Sequence, residues 1–573
     1  MKLIANLANV DAQAKDGCKL PGVLLMDRAA QAVAQQVLSL WATTYSGQYA
    51  RAKRGVIILC GPGNNGGDGY GCARHLLQAG VDPVFILDWA TPQRLSEEAR
   101  LHEQMLYWWE QQAPSPLRRQ QWSADSPELP PDWLEQSTVV VDALFGSGLS
   151  RPLEGAVAAL FLQLAQWRQA QAHRQIVAVD LPSGIDSLTG ERLGASLTAD
   201  CTVTFATGKP GLYLYPGKSD AGTVSVADIG IPQALIDREP SPYQLLTPSL
   251  IAQGLPHRPA DAHKYQLGHV LVVAGSFSMP GAAVLSSTAA LRAGAGLVTL
   301  AMPIAALGQS HLPAEIMRLP LPEIEDCPGV LTPEHIPAIL ERVESGKVNG
   351  LLMGPGLGRH PQTTKAILAL LNALKAWNGG AFSGTVVLDG DALWALGTLE
   401  NPTAQLGNNV VLTPHLGEFN RLVKETASAT APVHRLRQAA ERTDALWVLK
   451  TAVNLVAQRQ LAKELTEPTP NVQITLSPYG NAGMATAGSG DILAGLIAGL
   501  CAQSPLLAHR RDYHQTVLAA VGLHGLAGDA AATKQGRRSL VASDLIAQLP
   551  EILHRFEPAP SEAKQRTAEI QGS

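Results

Sequence analysis

Short, continuous apolar runs recur along this chain in two separate series. The first holds VIILC (56–60), PVFILDW (83–89), TVVVDALFG (138–146), IVAVDLP (176–182) and CTVTFAT (201–207). The second holds HVLVVAGS (269–276), GLVTLAM (296–302), GLLMGPG (350–356), TVVLDGDAL (385–393), NVVLTP (409–414) and LWVLKTAVNLVA (446–457). A strand with one wet face alternates apolar and polar residues. These runs do not alternate, so they read as strands covered on both faces. Helical stretches separate most of them, as at 68–79 and 154–172, and that order predicts parallel sheets clothed by helices. Met26, Ala30, Val33, Val37 and Leu40, at steps of four and three, predict an amphipathic helix from Leu24 to Trp41. WSADSPELPPDW (122–133) reads as a surface loop.

Between the two series, residues 237–262 are rich in Pro and polar side chains and hold no long apolar strand. The series differ in loop motifs and length. We therefore expect two fused α/β domains, 1–240 and 245–555, rather than a repeat. The segment 557–573 has little to bury and reads as a disordered tail.

A chain of 573 residues is too long for one core. With 46% hydrophobic and 16% charged residues it has the composition of a compact α/β enzyme. A net charge of −5 gives no reason to expect a nucleic-acid partner. The six cysteines are scattered with no C-x-x-C pair, which argues against a zinc site or a redox dithiol and for free thiols in a reducing compartment. No apolar run approaches the ~18 residues of a membrane span. Lys2, Asp11, Lys15 and Asp16 interrupt any signal-peptide core. A cytoplasmic protein with no membrane partner is expected, and so is a homo-oligomer.

Two glycine-rich loops carry an acid each. GPGNNGGDG (61–69) follows the first apolar run and opens a helical stretch, where backbone N–H groups and the helix dipole favour phosphate. Gly61, Gly63 and Gly66 fit G-x-G-x-x-G, and Asp88 follows about 20 residues on, as a dinucleotide fold requires. Asn64, Asn65, Gly67 and Asp68 argue against that reading, because a carboxylate beside a pyrophosphate repels it. Asp142 and Asp180 end two further strands, where open α/β sheets bind ligands. Asn65, Asp68, Asp142, Asp180 and Ser183 are thus expected to converge on one cleft. Oxygen donors with little formal charge suit a hard cation, and Asp68 or Asp180 could move a proton. One strand-end Asp alone is better read as a cap; the set beside this loop is not.

MDRAA (26–30), GPGNNGGDG, VDALFGSGLSRPL and VDLPSGID (179–186) together resemble the YjeF N-terminal family. The resemblance spans roughly residues 1–240. It implies a Rossmann-like three-layer fold and epimerisation of the R and S forms of hydrated NADH and NADPH. It also implies a potassium ion held by Asn65, Asp142 and Ser183. Contacts to the hydrated dinucleotide would come from Asn64, Asn65, Gly66, Gly67, Asp68, Gly146, Ser147, Gly148, Leu149, Ser150, Arg151, Pro152 and Asp180.

The second loop, GNAGMATAGSGDILAG (480–495), places Gly488, Gly490 and Asp491 at the start of a helical stretch. The glycines let backbone N–H groups approach a transferring phosphoryl group, and Asp491 could take the proton of an attacking hydroxyl. Asp389 and Asp391, His415 and Glu418, and Lys450 follow nearby strands. His415 or Lys450 alone would read as structural or solvated.

HKYQLGHVLVVAGS, AALRAGAGLVTLA, MGPGLG, VVLDGDAL, TPHLGEF and GNAGMATAGSGDILAG, in that order, resemble the ADP/ATP-dependent NAD(P)H-hydrate dehydratases, a ribokinase-like α/β family, over roughly 245–555. The resemblance implies that Ala282, Gly356, His415 and Asp491 contact the hydrated dinucleotide. It gives Lys450, Thr451, Ala452, Val453, Asn454 and Gly490 to ADP, which would enter with Mg²⁺. The whole chain is similar to fused epimerase–dehydratases that repair both epimers and convert ADP to AMP and phosphate. The alternative is a ribokinase-type small-molecule kinase fused to an NAD-binding regulatory domain. It predicts a stable phosphorylated product and true dinucleotide binding at 61–88.

Overall fold

The computed structural model describes residues 1–44, 55–91, 93, 95–345, 347–376, 382–403, 406–424, 430–460, 471–503 and 510–557. The expected tail lies outside these residues apart from Glu557. The chain divides into two compact units, Met1–Gln244 and the residues from Leu245 onward.

The first unit carries strands β1 (Lys2–Leu3), β2 (Gly55–Cys60), β3 (Val84–Asp88), β4 (Leu117–Gln121), β5 (Ser137–Ala143), β6 (Gln175–Val179), β7 (Cys201–Phe205) and β8 (Thr223–Ala227). Seven of them form a sheet in the order β4-β3-β2-β5-β6-β7-β8, with every neighbouring pair parallel. β1 lies outside that sheet and pairs antiparallel with β9 (Tyr243–Leu245), Lys2 opposite Gln244 and Leu3 opposite Tyr243. Chain order reverses between β2 and β5, so a crevice opens beyond the carboxyl ends of those two strands.

Every residue of β2 is buried. Val56, Ile58 and Cys60 pack with the helices Gly22–Thr44 and Asn64–Gln78, while Ile57 and Leu59 pack with Ala156–Ala170 on the other face. That is the three-layer arrangement which unalternating runs require, and each fully buried Ile or Leu contributes about 1.5–3 kcal/mol.

Two strands of this sheet had no apolar signal. β4, LRRQQ, and β8, TVSVA, sit at its edges, where one flank meets solvent and polar side chains are tolerated. The segment expected as loop at 122–133 ends in the helix Pro131–Gln136, opened by a proline at its first position.

The second unit carries β10 (His269–Val273), β11 (Leu297–Pro303), β12 (Met317–Leu321), β13 (Gly350–Met353), β14 (Thr385–Leu388), β15 (Val410–Leu412), β16 (Leu446–Leu449), β17 (Leu455–Arg459) and β18 (Val472–Leu476). Their order is β18-β17-β16-β15-β14-β13-β10-β11-β12. Pairing is parallel from β12 to β16 and antiparallel from β16 through β18. The single run read at 446–457 is therefore two strands. The chain reverses at 450–454, where the Thr451 hydroxyl donates to the Val453 carbonyl at 2.5 Å.

The helix Ser489–Ala502 is buried along almost its whole length. A Cβ at Gly495 would meet the Ser286 carbonyl oxygen at 2.2 Å, and one at Gly499 would meet that of Ala290 at 2.5 Å. Those glycines allow this helix to lie directly on the helix Pro280–Arg292. The loops after β13, β14, β15 and β16 all leave the same end of the parallel sheet, and Asp491 sits in the first turn of Ser489–Ala502.

Candidate functional sites

In the first unit the glycine-rich loop leaves β2 at the point of strand reversal. A Cβ at Gly61 would stand 1.8 Å from the Leu144 carbonyl oxygen, and one at Gly66 1.9 Å from that of Gly61. The loop is thus wedged against the end of β5. Asp142, in β5, is fully buried. Its carboxylate accepts hydrogen bonds from the Ser183 hydroxyl (2.6 Å) and the Ser183 N–H (2.8 Å), and the Ser183 hydroxyl in turn accepts from the Phe145 N–H at 3.0 Å. Burial raises the Asp142 carboxyl to about 6, opposed by these bonds.

The Asn65 side chain lies against Gly146, next along from Phe145, and its buried Nδ2 has no hydrogen-bond partner. Amide oxygen and nitrogen exchange places by a flip, so an amide oxygen can occupy that position instead. Asn65, Asp142, Ser183 and the Phe145 carbonyl then present oxygen atoms with a single formal charge. This donor set fits potassium better than a small divalent ion.

A cavity of about 560 Å³ opens beside this group. Asn64, Asn65, Asp68, Gly146, Ser147, Gly148, Leu149, Ser150, Arg151 and Asp180 line it. Gly66, Gly67 and Pro152 lie outside its wall. Lys209, Asp11 and Lys15 line it too and were not anticipated. Lys209 is almost wholly buried; it donates to the Asp180 carboxylate, to Thr204 Oγ1 at 2.8 Å and to the Phe205 carbonyl at 3.2 Å. Asp180 itself adopts a left-handed backbone, with φ of +65°. Burial pushes the Asp68 carboxyl far up, the charges of Asp180 and Asp11 add to the shift, and Lys209 opposes it. Asp68, its carboxyl raised by burial, thus faces the Asp180–Lys209 ion pair across one pocket, an arrangement suited to proton transfer. The signal for Lys209 was its place just beyond the apolar run 201–207, where strand ends meet ligands.

The dinucleotide fingerprint fails at its acidic residue. Asp88 is buried, held by Arg119 Nε at 3.0 Å and Nη2 at 2.9 Å, and accepts from the Tyr70 hydroxyl at 2.8 Å. It is spent on structure and is not free to hold a ribose.

In the second unit, Asp389 follows β14 and accepts from Lys450 Nζ at 2.5 Å and Thr413 Oγ1 at 2.7 Å. A Cβ on Gly490 would lie 3.1 Å from Lys450 Nζ, so lysine and glycine loop meet. Gly488, with φ of +91°, caps the helix that carries Asp491. Burial and then the charge of Asp389 raise the Asp491 carboxyl to about 7, with Lys450 opposing. Gly356, with φ of +62°, and Ala282 touch: a Cβ at Gly356 would lie 2.8 Å from that of Ala282.

His415 caps the helix Leu416–Leu422. Its Nδ1 accepts from the Gly417 N–H at 3.0 Å, while Glu418 accepts from the His415 N–H at 2.9 Å. Nε2 lies 3.4 Å from Glu418 Oε1, and the side chain, 58% exposed, stays open to a ligand. Thr451 and Ala452 are exposed, whereas Val453 is buried and offers a ligand only its backbone. Asp529 was also missed; it accepts from the Gly480 N–H and from Asn481 Nδ2, both at 2.9 Å, and so anchors the start of the loop. Among the described residues no group of three or more His, Cys, Asp or Glu could hold a metal. Mg²⁺ carried on nucleotide phosphates, with one or two carboxylates completing its shell, is compatible with this unit.

A doubly wound unit with an acid–lysine pocket at its switch point, and a parallel α/β unit with an acid at a glycine-capped helix start, define a two-centred α/β enzyme. Residues 23–211 match the family described as YjeF-related protein N-terminus, and residues 270–551 match NAD(P)H-hydrate dehydratase. The chain is 38% identical to the bifunctional NAD(P)H-hydrate repair enzyme of Moorella thermoacetica, over 96% of this chain and 96% of that protein. It is 33% identical to the protein of the same description from Salinibacter ruber, over 93% and 92%. A ribokinase-like superfamily protein from Enterococcus faecalis covers 55% of this chain and 97% of its own, at 23% identity and a TM-score of 0.44. The chain belongs to the family of bifunctional NAD(P)H-hydrate repair enzymes.

Proposed function

We propose that this chain repairs hydrated NADH and NADPH at two centres. The first unit interconverts the R and S hydrates. The second dehydrates the S hydrate at the expense of ADP, releasing NAD(P)H, AMP and phosphate. One observation carries the reading most directly: end-to-end similarity to bifunctional repair enzymes in a chain that keeps an acid at each glycine-rich loop.

In the second unit Asp491 takes the proton of the hydrate's C6 hydroxyl as that oxygen attacks the terminal phosphoryl group of ADP. AMP leaves. The ring nitrogen's lone pair then expels phosphate from C6, and loss of the C5 proton restores the double bond. Lys450 and the N–H groups around Gly490 offset the phosphoryl charge. Lys450, Thr451, Ala452, Val453 and Asn454 flank the adenine nucleotide; Ala282, Gly356 and His415 flank the dinucleotide. Mg²⁺, when bound with ADP, supplies charge neutralisation.

In the first unit the protonated Asp68 gives its proton to the C6 hydroxyl, which departs as water. Water returns to the opposite face and gives a proton back to Asp68. Asp180, fixed by Lys209, stabilises the cationic ring between the two steps. Asn65, Asp142 and Ser183 would hold potassium, which supplies a fixed positive charge beside the loop. The wall residues Asn64, Asn65, Asp68 and Gly146 to Arg151 enclose the hydrated dinucleotide, with Gly66, Gly67 and Pro152 next to them in the chain but outside the wall.

The free thiols of all six cysteines support a reducing, cytoplasmic setting. Among the described residues no helix is long and apolar enough to cross a membrane. Assembly into a homo-oligomer belongs to the same proposal and is read by the mass of the protein in solution. The function is tested by supplying S-hydrated NADH with ADP and Mg²⁺ and following the near-ultraviolet absorbance of reduced nicotinamide. Its return with AMP and phosphate supports the reading; a stable phosphorylated product would favour the kinase alternative.

A further inference from the structure

We propose that Arg359 is an anion clamp of the second unit, holding the bridging diphosphate of the hydrated dinucleotide; this rests on the dehydratase reading. Arg359 ends the loop that leaves β13 through Gly356 and Gly358. It lies close enough to His415 to be one of the charges that, after burial and Lys450, hold that imidazole low. It therefore stands near both Gly356 and His415, the two residues that the reading sets against the dinucleotide.

The charge balance of the site calls for such a group. Asp389, Glu418 and Asp491 surround Lys450, Asp391 stands near Asp491 and Glu418, and Lys450 is already bonded to Asp389. A dinucleotide adds a diphosphate to that field. Arg359 stacks on Trp394, with its guanidinium carbon 4.1 Å from the ring centroid. Arg421 stacks on the same indole at 3.3 Å. Two cations on one ring repel each other, and the neighbouring carboxylate, Asp391, is shared. Its Oδ2 accepts from the Gly358 N–H at 2.7 Å, and its Oδ1 lies 3.5 Å from Arg359 Nε. An incoming anion relieves that excess.

Beyond its ion pair with Asp391, Arg359 has N–H groups to spare. Its side chain is 57% exposed, and among the described residues it has no hydrogen-bond partner. The stack on Trp394 holds the guanidinium plane in advance, so little freedom is lost when its N–H fork meets phosphate oxygens.

The test uses the full chain and both hydrates. Arg359→Ala is expected to raise KM for hydrated NADH and hydrated NADPH by a similar factor, roughly 10- to 100-fold, and far more than it lowers kcat. KM for ADP should move little. Arg359→Lys should recover part of the loss, because it keeps the charge without the planar stack. The Kd for NADH, measured by calorimetry, reads the clamp without turnover and should weaken by a comparable factor. An unchanged Kd would overturn the clamp. So would a loss confined to hydrated NADPH, which would move the contact to the 2′-phosphate, or a rise in the KM for ADP alone. Wild-type protein that binds NADH through Arg359 yet leaves the hydrate unrepaired would count against the dehydratase reading and not against the clamp.

Discussion

The Lys209 ammonium donates a hydrogen bond to the carboxylate of Asp180, a residue that precedes it by 29 positions and directly follows the neighbouring strand β6. The lysine is only 1% exposed. A cation so buried is held by its partner, and the partner is held in place by it.

Lys209→Met is therefore expected to leave Asp180 without its counter-ion beside Asp68. Breaking a buried pair costs about 3 kcal/mol or more. Urea unfolding should show the first unit destabilised by that order, and R-to-S interconversion should fall by about two orders of magnitude. Dehydration of pure S hydrate should be retained. A variant that epimerises at the wild-type rate would remove the ion pair from the mechanism.

Asp491→Asn keeps the shape of the side chain and removes the base. Dehydratase turnover should drop by roughly 10²–10⁴-fold with ADP binding largely kept. The pH dependence follows from the raised carboxyl. A base works only when ionised, and Asp491 ionises at about 7. Wild-type kcat/KM should thus fall as pH drops below about 7 and level off above it. The residual activity of Asp491→Asn should lose that limb. Glu418, raised by burial to about 7, titrates in the same range, so Glu418→Gln is the companion measurement.

Potassium should speed epimerisation and raise the midpoint of thermal unfolding, while a bulky organic cation should do neither. Asp142→Asn removes the single charge of the donor set and keeps an acceptor for the Ser183 N–H. It should abolish both effects without altering the dehydration of S hydrate. Equal responses to the two cations would argue against an ion at Asn65, Asp142 and Ser183.

Gly488→Ala forces a Cβ into a left-handed position and to within 2.4 Å of Leu285 Cδ1. We expect a stability loss of about 1–2 kcal/mol from the backbone, with more from the clash. Asp491 would be displaced with its helix, so dehydratase activity should fall with the thermal midpoint. A variant of unchanged midpoint and activity would mean that the loop tolerates another path.

The central strands were legible because a strand buried on both faces leaves a continuous apolar run, as VIILC does in β2 and HVLVV in β10. The edge strands β4, β8 and β12 were not, because LRRQQ, TVSVA and MRLPL need satisfy only one neighbour. The turn at 450–454 hid inside an apolar run, since Val453 is buried and Lys450 is tied to Asp389. The glycine-rich loops pointed to both sites, because only glycine allows the approaches at Gly61 and Gly66. What lay beyond the sequence was pairing across distance. No local spacing joins Lys209 to Asp180, Arg119 to Asp88 or Asp529 to Gly480. The Asp88–Arg119 pair is what separates this loop from a dinucleotide fingerprint that its glycines otherwise match.

The most direct test of two coupled centres is an equal mixture of R- and S-hydrated NADH, incubated with ADP, Mg²⁺ and potassium and followed at early times by near-ultraviolet absorbance. Wild-type protein should recover the whole of the reduced nicotinamide. Lys209→Met should stall near half, leaving the R hydrate, and Asp491→Asn should recover almost none. Wild-type protein that stalls at half, or an Asp491→Asn variant that recovers the full absorbance, would contradict the account.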